Sequence, residues 1–216
     1  MNYIRPLPAY LVQRFQGWRA TTYQDNRAWY RRLAASGQHP RAMVISCCDS
    51  RVHVTSIFGA DEGEFFIHRN VANLVPPYNP DGEYHGTSAA VEYAVTSLGV
   101  AHIVVLGHSN CGAVRATLTH LQAPGDTSPA LRAIVDRIAP GIQPVLTGCG
   151  GEADACMPQA IRANVMATIG NLRAQSDYLR YAELQGGLRI VGADYDLGSG
   201  AVDFFATEPQ AWPTGA

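Results

Sequence analysis

Two short apolar runs, residues 42–46 (Ala-Met-Val-Ile-Ser) and residues 101–106 (containing Ile103-Val104-Val105-Leu106), each break off into polar side chains able to bind a metal. The first runs into Cys47-Cys48-Asp49-Ser50-Arg51, and the second, after Gly107, into His108-Ser109-Asn110-Cys111. An apolar run without polar alternation reads as a strand covered on both faces, the mark of a parallel sheet flanked by helices. Between them, Ala90, Val91, Ala94, Val95 and Leu98 recur at helical spacing, and Gly99 follows as a helix-terminating glycine. The segment is therefore strand, helix, strand. Parallel α/β sheets bind their ligands at the carboxyl edge, which is where Cys47 and His108 both fall.

The rest of the chain fits this frame. Residues 7–35 place Leu11, Phe15 and Trp18 at i, i+4 and i+7 and predict one or two amphipathic helices. Residues 64–68 predict another buried strand, residues 111–121, 129–138 and 157–185 predict helices, and residues 141–151, with their glycines and Pro144, predict a loop. A final hairpin is expected from residues 188–193 and 201–205 around Gly198-Ser199-Gly200. The expected fold is α/β: a Rossmann-like parallel sheet flanked by helices, with an additional C-terminal edge strand and an N-terminal helical arm. Residues 1–36 form the arm and residues 37–216 a single α/β domain.

Composition excludes several function classes. All 16 basic residues are arginine, so the P-loop lysine and every Schiff-base mechanism are absent. A net charge of -2 offers no attraction to nucleic acid or to an anionic membrane. Only 16% of residues are charged, which leaves a lightly charged surface and points to buried interfaces between copies. Residues 1–20 hold no continuous apolar run, so neither a secretory signal nor a membrane span is expected. The five cysteines are too few and too uneven for a disulfide framework, which fits a reducing, cytoplasmic setting.

Two thiols and an imidazole arriving at one sheet edge make a zinc ligand set with one position left for water or substrate, the pattern of a catalytic rather than a structural site. His108 and Cys111 are three apart across a strand-to-helix turn, close enough to share an ion. Cys47 and Cys48 point to opposite faces, so one of them is expected to be a small buried hydrophobe. Cys149 and Cys156 are read the same way. His39, His53, His68, His85, His102 and His120 have no ligand spacing and read as surface or satisfied core residues.

These residues resemble the β-class carbonic anhydrases. Cys47-x-Asp49-Ser50-Arg51 with His108-x-x-Cys111, then residues 69–78 (Arg-Asn-Val-Ala-Asn-Leu-Val-Pro-Pro-Tyr) and 86–94 (Gly-Thr-Ser-Ala-Ala-Val-Glu-Tyr-Ala), are similar to the plant-type branch of that family. The resemblance implies zinc on Cys47, His108 and Cys111, and a catalytic dyad of Asp49 and Arg51 beside the metal-bound water. It also implies a substrate pocket that includes Gln38, Phe66, Val71 and Tyr93. One bacterial subgroup uses a tryptophan three residues before the first cysteine to bind inhibitory bicarbonate. Val44 stands there, although Arg69 and Tyr195 match other members of that site.

The implied activity is reversible hydration of carbon dioxide to bicarbonate and a proton. Two thiolates cancel the zinc dication, so hydroxide is expected to form at higher pH than at an all-histidine site. Hydrolysis of carbonyl sulfide or carbon disulfide on the same scaffold is the sister reading, and a non-catalytic zinc-stabilised or bicarbonate-sensing module is the other. The implied assembly is a homodimer or an assembly of dimers, with the helical arm as the dimer contact.

Overall fold

The computed structural model of the chain describes residues 7–79, 81–82, 85–150 and 152–206. The chain divides into two compact units between His39 and Pro40. The first is helical: α1 (Ala9–Ala20), α2 (Thr22–Asp25) and α3 (Arg27–Ser36). Its aromatic rings pack on one another, with Trp18 set edge-on to Tyr30 and Tyr23 stacked on Tyr30 at centroid distances of 5.8 and 5.3 Å. Such ring pairs stabilise a small helical unit by about 1 kcal/mol each beyond their buried area.

The second unit is built on five strands in the order β2-β1-β3-β4-β5: β1 (Ala42–Cys47), β2 (Phe65–Asn70), β3 (His102–His108), β4 (Arg189–Tyr195) and β5 (Val202–Ala206). The first four run parallel, and β5 turns back antiparallel on β4 as the expected hairpin. The central apolar runs are buried as their composition requires, with every residue of β1 inside. Met43, Ile45, Ile103, Val105 and Ile190 form the sheet's share of one core, which α8 (Ala153–Arg173) closes with Val165, Ile169 and Leu172. α5 (Gly86–Glu92) passes into a wider helical turn at Tyr93–Ser97, and Gly99 follows at φ +62 before β3, in agreement with its reading as a helix-terminating glycine.

Five expectations need correction. The predicted loop at residues 141–151 is helix to Gly148: α7 (Pro129–Gly148) runs through Pro140 and Pro144. Val135, Ile138 and Ile142 continue one buried stripe across those prolines, and burying that stripe outweighs two missing hydrogen bonds. The long helix predicted over residues 157–185 is two, α8 and α9 (Asp177–Leu184), separated at Gln175, whose side-chain amide donates to the Pro76 carbonyl at 2.6 Å. β2 is half-buried rather than buried, because it lies at the edge of the sheet and has only β1 beside it. Cys48 is exposed rather than a buried hydrophobe, because the chain has left the sheet there and its N–H donates to the Asn70 carbonyl at 2.9 Å. Finally, Cys149 and Cys156 are joined as a disulfide, since the α7–α8 corner brings their Cα atoms to 5.6 Å.

Candidate active site

β1 and β3 are neighbours, so their carboxyl ends deliver Cys47 and His108 side by side, and α6 (Gly112–Gln122) begins immediately after Cys111. The two Sγ atoms and an imidazole nitrogen lie within 4.8 Å of one another, and all three residues are buried. Among the described residues they are the one group of three metal-capable donors. The His108 ring is oriented by Nδ1, which donates to the Ser109 carbonyl at 2.9 Å. That leaves Nε2 buried with no hydrogen-bond partner. A buried, unpartnered acceptor beside two thiols is costly unless a cation fills the space between them.

The sulfurs carry the same mismatch. Cys47 is pulled well below the ordinary thiol range by the hydrogen bond from Cys111, against the opposing effect of burial, with further help from His108 and the Asp49 and Ala72 amides. Cys111 is pushed up by the same contact and by burial, although the Ala113 and Val114 amides of the α6 N-terminus point at it. Without a cation only one of the pair can ionise. A divalent ion removes that conflict by stabilising both thiolates. Two sulfurs and one imidazole are a donor set suited to zinc.

Asp49 stands at the rim. Its Oδ2 is 3.9 Å from His108 Nε2, and Arg51 clamps the carboxylate with Nε on Oδ1 at 2.9 Å and Nη2 on Oδ2 at 2.7 Å. The Arg51 side chain and backbone N–H hold the Asp49 carboxyl far below the usual carboxylate range, so it is an ionised acceptor at any working pH. Arg51 in turn reaches the Asn110 carbonyl at 3.3 Å, tying the β1 loop to the β3 loop.

Several supporting residues have structural roles that the sequence motifs do not show. Arg69 donates to the Cys47 carbonyl at 3.0 Å and the Asp49 carbonyl at 2.8 Å, fixing the loop between Cys47 and Asp49. Ala72, Asn73 and Asn110 adopt left-handed φ of 62, 49 and 56, conformations that non-glycine residues hold only under constraint. Asn164 in the middle of α8 supplies part of that constraint by donating to the Ala72 carbonyl at 3.0 Å. Gly107 is required between the sheet and α8: a Cβ there would sit 2.7 Å from both Asp194 Oδ1 and Val165 Cγ2. The roles of Arg69, Ala72 and Asn164 depend on long-range packing, which no local stretch of sequence records.

The residues assigned to the pocket are spread differently. Val71 follows β2 at the same sheet edge as Cys47 and is exposed. Phe66 packs against Tyr93 at 5.9 Å between ring centroids, but it is the register partner of Met43, whereas Cys47 pairs with Asn70. Phe66 thus lies four residues along the strand from the ligand level, roughly 13 Å. Gln38 is an exposed residue of the helical unit. Val44 is buried in β1, and Tyr195, half-buried on β4, is the register partner of His108.

Comparison with known proteins agrees with this geometry. A family model described as carbonic anhydrase matches residues 42–202. The chain is 36% identical to a carbonic anhydrase of Pseudomonas aeruginosa over 89% of its own length and 85% of the relative's. It is 33% identical to one from Synechococcus elongatus (89% and 69%), and 31% identical to beta carbonic anhydrase 3 of Arabidopsis thaliana (92% and 77%). Among solved structures, the β-carbonic anhydrase CcaA superposes with a TM-score of 0.80 at 28% identity, covering 93% of this chain and 92% of that one. The β-carbonic anhydrase CafA of Aspergillus fumigatus gives 0.80 at 29%, with the same coverage. The sheet edge, the Cys47–His108–Cys111 group and the match across the α/β unit lead to one conclusion: the chain belongs to the β-carbonic anhydrase family.

Proposed function

We propose that this protein catalyses the reversible hydration of carbon dioxide to bicarbonate and a proton, with zinc held by Cys47, His108 and Cys111. The observation that carries this reading is the buried, unpartnered His108 Nε2 beside two thiols, with an arginine-clamped carboxylate 3.9 Å away. Zinc bound there would supply the Lewis acidity that makes water a nucleophile near neutral pH. The chain's own residues do the rest. Ionised Asp49 accepts a hydrogen bond from the attacking water and fixes its orientation. Arg51 keeps that carboxylate charged and aimed. Ser109, through its carbonyl, holds His108 in the tautomer that leaves Nε2 free for the ion.

The Phe66–Tyr93 pair is too far along the sheet to line its own subunit's ligand group. We assign it, with Gln38, to the substrate pocket of a second copy in a homodimer or an assembly of dimers, and Val71 to the rim of its own site. Two related enzymes of Sordaria macrospora are described as tetrameric; one matches this chain at TM-score 0.72 and 29% identity. Among the described residues no helix is long and apolar enough to cross a membrane, and we place the enzyme in the cytoplasm. Stopped-flow hydration with a pH indicator tests the activity: zinc-loaded protein should exceed the buffer rate many-fold and chelated protein should not. A loaded protein no faster than buffer would overturn the proposal. Carbonyl sulfide added as a competitor reads out the sister activity.

A further inference from the structure

We propose that Cys149 and Cys156 are a reversible dithiol–disulfide site that controls how firmly the Asp49–Arg51 dyad is held. The consequence for turnover rests on the function proposed above, but the site and its structural coupling do not.

The pair spans the corner between α7 and α8. Cys149 ends α7 and Cys156 lies in the first turns of α8, with Cα atoms 5.6 Å apart, inside the roughly 4.4–6.8 Å that a disulfide tolerates. Gly150, at φ +81, makes the bend between them. Each sulfur also has a place when reduced: Cys149 Sγ lies 3.6 Å from the Leu146 carbonyl, and Cys156 is fully buried against the Met157 and Ile161 cluster. A dithiol form therefore leaves no buried sulfur stranded, and both forms are accessible to the same fold.

From this corner one continuous line of polar contacts leads to the dyad. Asp154, inside the disulfide-closed segment, pairs with Arg115 of α6. Arg115 Nη2 donates to Asn110 Oδ1 at 3.3 Å. The Asn110 carbonyl, on a residue already held in the left-handed region, accepts from Arg51 Nη2, also at 3.3 Å. Arg51 then grips both Asp49 oxygens. The weak link is Asp154, whose side chain is 81% exposed. An ion pair this open contributes little unless the backbone carrying it is already ordered. The disulfide adds to the helical order of α8 by tying its first turns, which carry Asp154, to the end of α7. Opening it lets the start of α8 shift against α7, which loosens Asp154 from Arg115 and Arg115 from Asn110 and leaves Arg51 one fewer fixed acceptor.

The chemistry balances against a dithiol. One thiolate of the reductant attacks Cys149 Sγ, the accessible sulfur, and the S–S bond breaks with Cys156 leaving as a thiolate that takes a proton. The reductant's second thiolate then attacks the mixed disulfide, releasing Cys149 as a thiol and the reductant as its own disulfide. Such transient pairs are the form disulfides take in reducing compartments.

The test uses zinc-loaded protein held in dithiothreitol or in glutathione disulfide, then alkylated and digested with trypsin. The peptide 138–162 carries both cysteines. The expected result is an unlabelled peptide about 2 Da lighter after oxidation and two alkyl groups after reduction. Amide hydrogen exchange across residues 109–115 should rise at least about twofold on reduction, and turnover should fall by about two- to fivefold. Cys149→Ser, or Cys149→Ala if the serine variant does not fold, should abolish both responses. Asp154→Asn should keep the disulfide yet lose the exchange response. A peptide that never closes under oxidant, or a disulfide that forms without changing exchange at residues 109–115, overturns the proposal. Protein inactive in both redox states defeats the proposed function instead, while mass and exchange still decide this one.

Discussion

Two pairs of cysteines lie against the same apolar cluster and have different chemistry. Cys47 and Cys111 come from distant parts of the chain, meet at the carboxyl edge of the sheet, and find the His108 imidazole within 4.8 Å. Cys149 and Cys156 are seven residues apart across a helix corner and close on each other as a disulfide. The sulfur is the same in both, so the neighbours decide. A third donor and the amides of a helix N-terminus stabilise thiolate and invite a cation, whereas a pair without them finds its stable form by oxidation.

The largest effect that could break this contrast is at the first pair. Cys47→Ser should leave the purified protein with less than about a tenth of its zinc, while Cys156→Ser retains full stoichiometry. Equal metal content in the two variants, measured by plasma emission, would erase the distinction. Next, Arg51→Ala should keep the ion but lower turnover by about a hundredfold, because Asp49 loses its clamp; a stopped-flow rate near wild type would remove the dyad from the mechanism. On the other side of the comparison, replacing both Cys149 and Cys156 by serine should cost about 2 kcal/mol of stability through the freed loop, measurable by urea unfolding under oxidising conditions. No change in the midpoint would show that the local pair carries no constraint.

The smallest effect concerns Asp194, the register partner of Gly107 just before His108. Burial pushes its carboxyl up to about 6, with Arg162 opposing and Asp203 adding to the shift. Because the folded value is raised above the unfolded one, the folded protein binds the extra proton. Stability from this group is therefore fully present below about pH 4 and is lost as pH rises to about 6. Asp194→Asn should be stabilising by about 1 kcal/mol above pH 6, after discounting for partial exposure, and neutral near pH 4. Thermal melts that show the same difference at both pH values would contradict this sign.

Much of the site is legible in the amino-acid sequence. Cys47, His108 and Cys111 can be placed at one edge because unbroken apolar runs mean parallel strands, and parallel strands share a carboxyl end. The pairing of Asp49 with Arg51 comes from the family resemblance. Arg69 as a brace and the strained Ala72 are not legible, since each depends on a partner 20 or more residues away whose identity carries no local signal. The helix through Pro140 and Pro144 misleads for the opposite reason: the local signal is strong, and packing of Ile138 and Ile142 overrides it.

By itself, then, the order of residues determined the strand-helix-strand unit, the burial of the central strands, the absence of lysine chemistry and the arrival of His108, Cys111 and one of two adjacent cysteines at one sheet edge, because periodicity and side-chain chemistry are local properties. Only the tertiary structure decided that Cys48 faces outward, that Cys149 meets Cys156, and that Phe66 stands four residues along the strand from the level of Cys47. Those outcomes follow from register and from the angle between packed helices, which arise when elements meet and are written in no single stretch of chain.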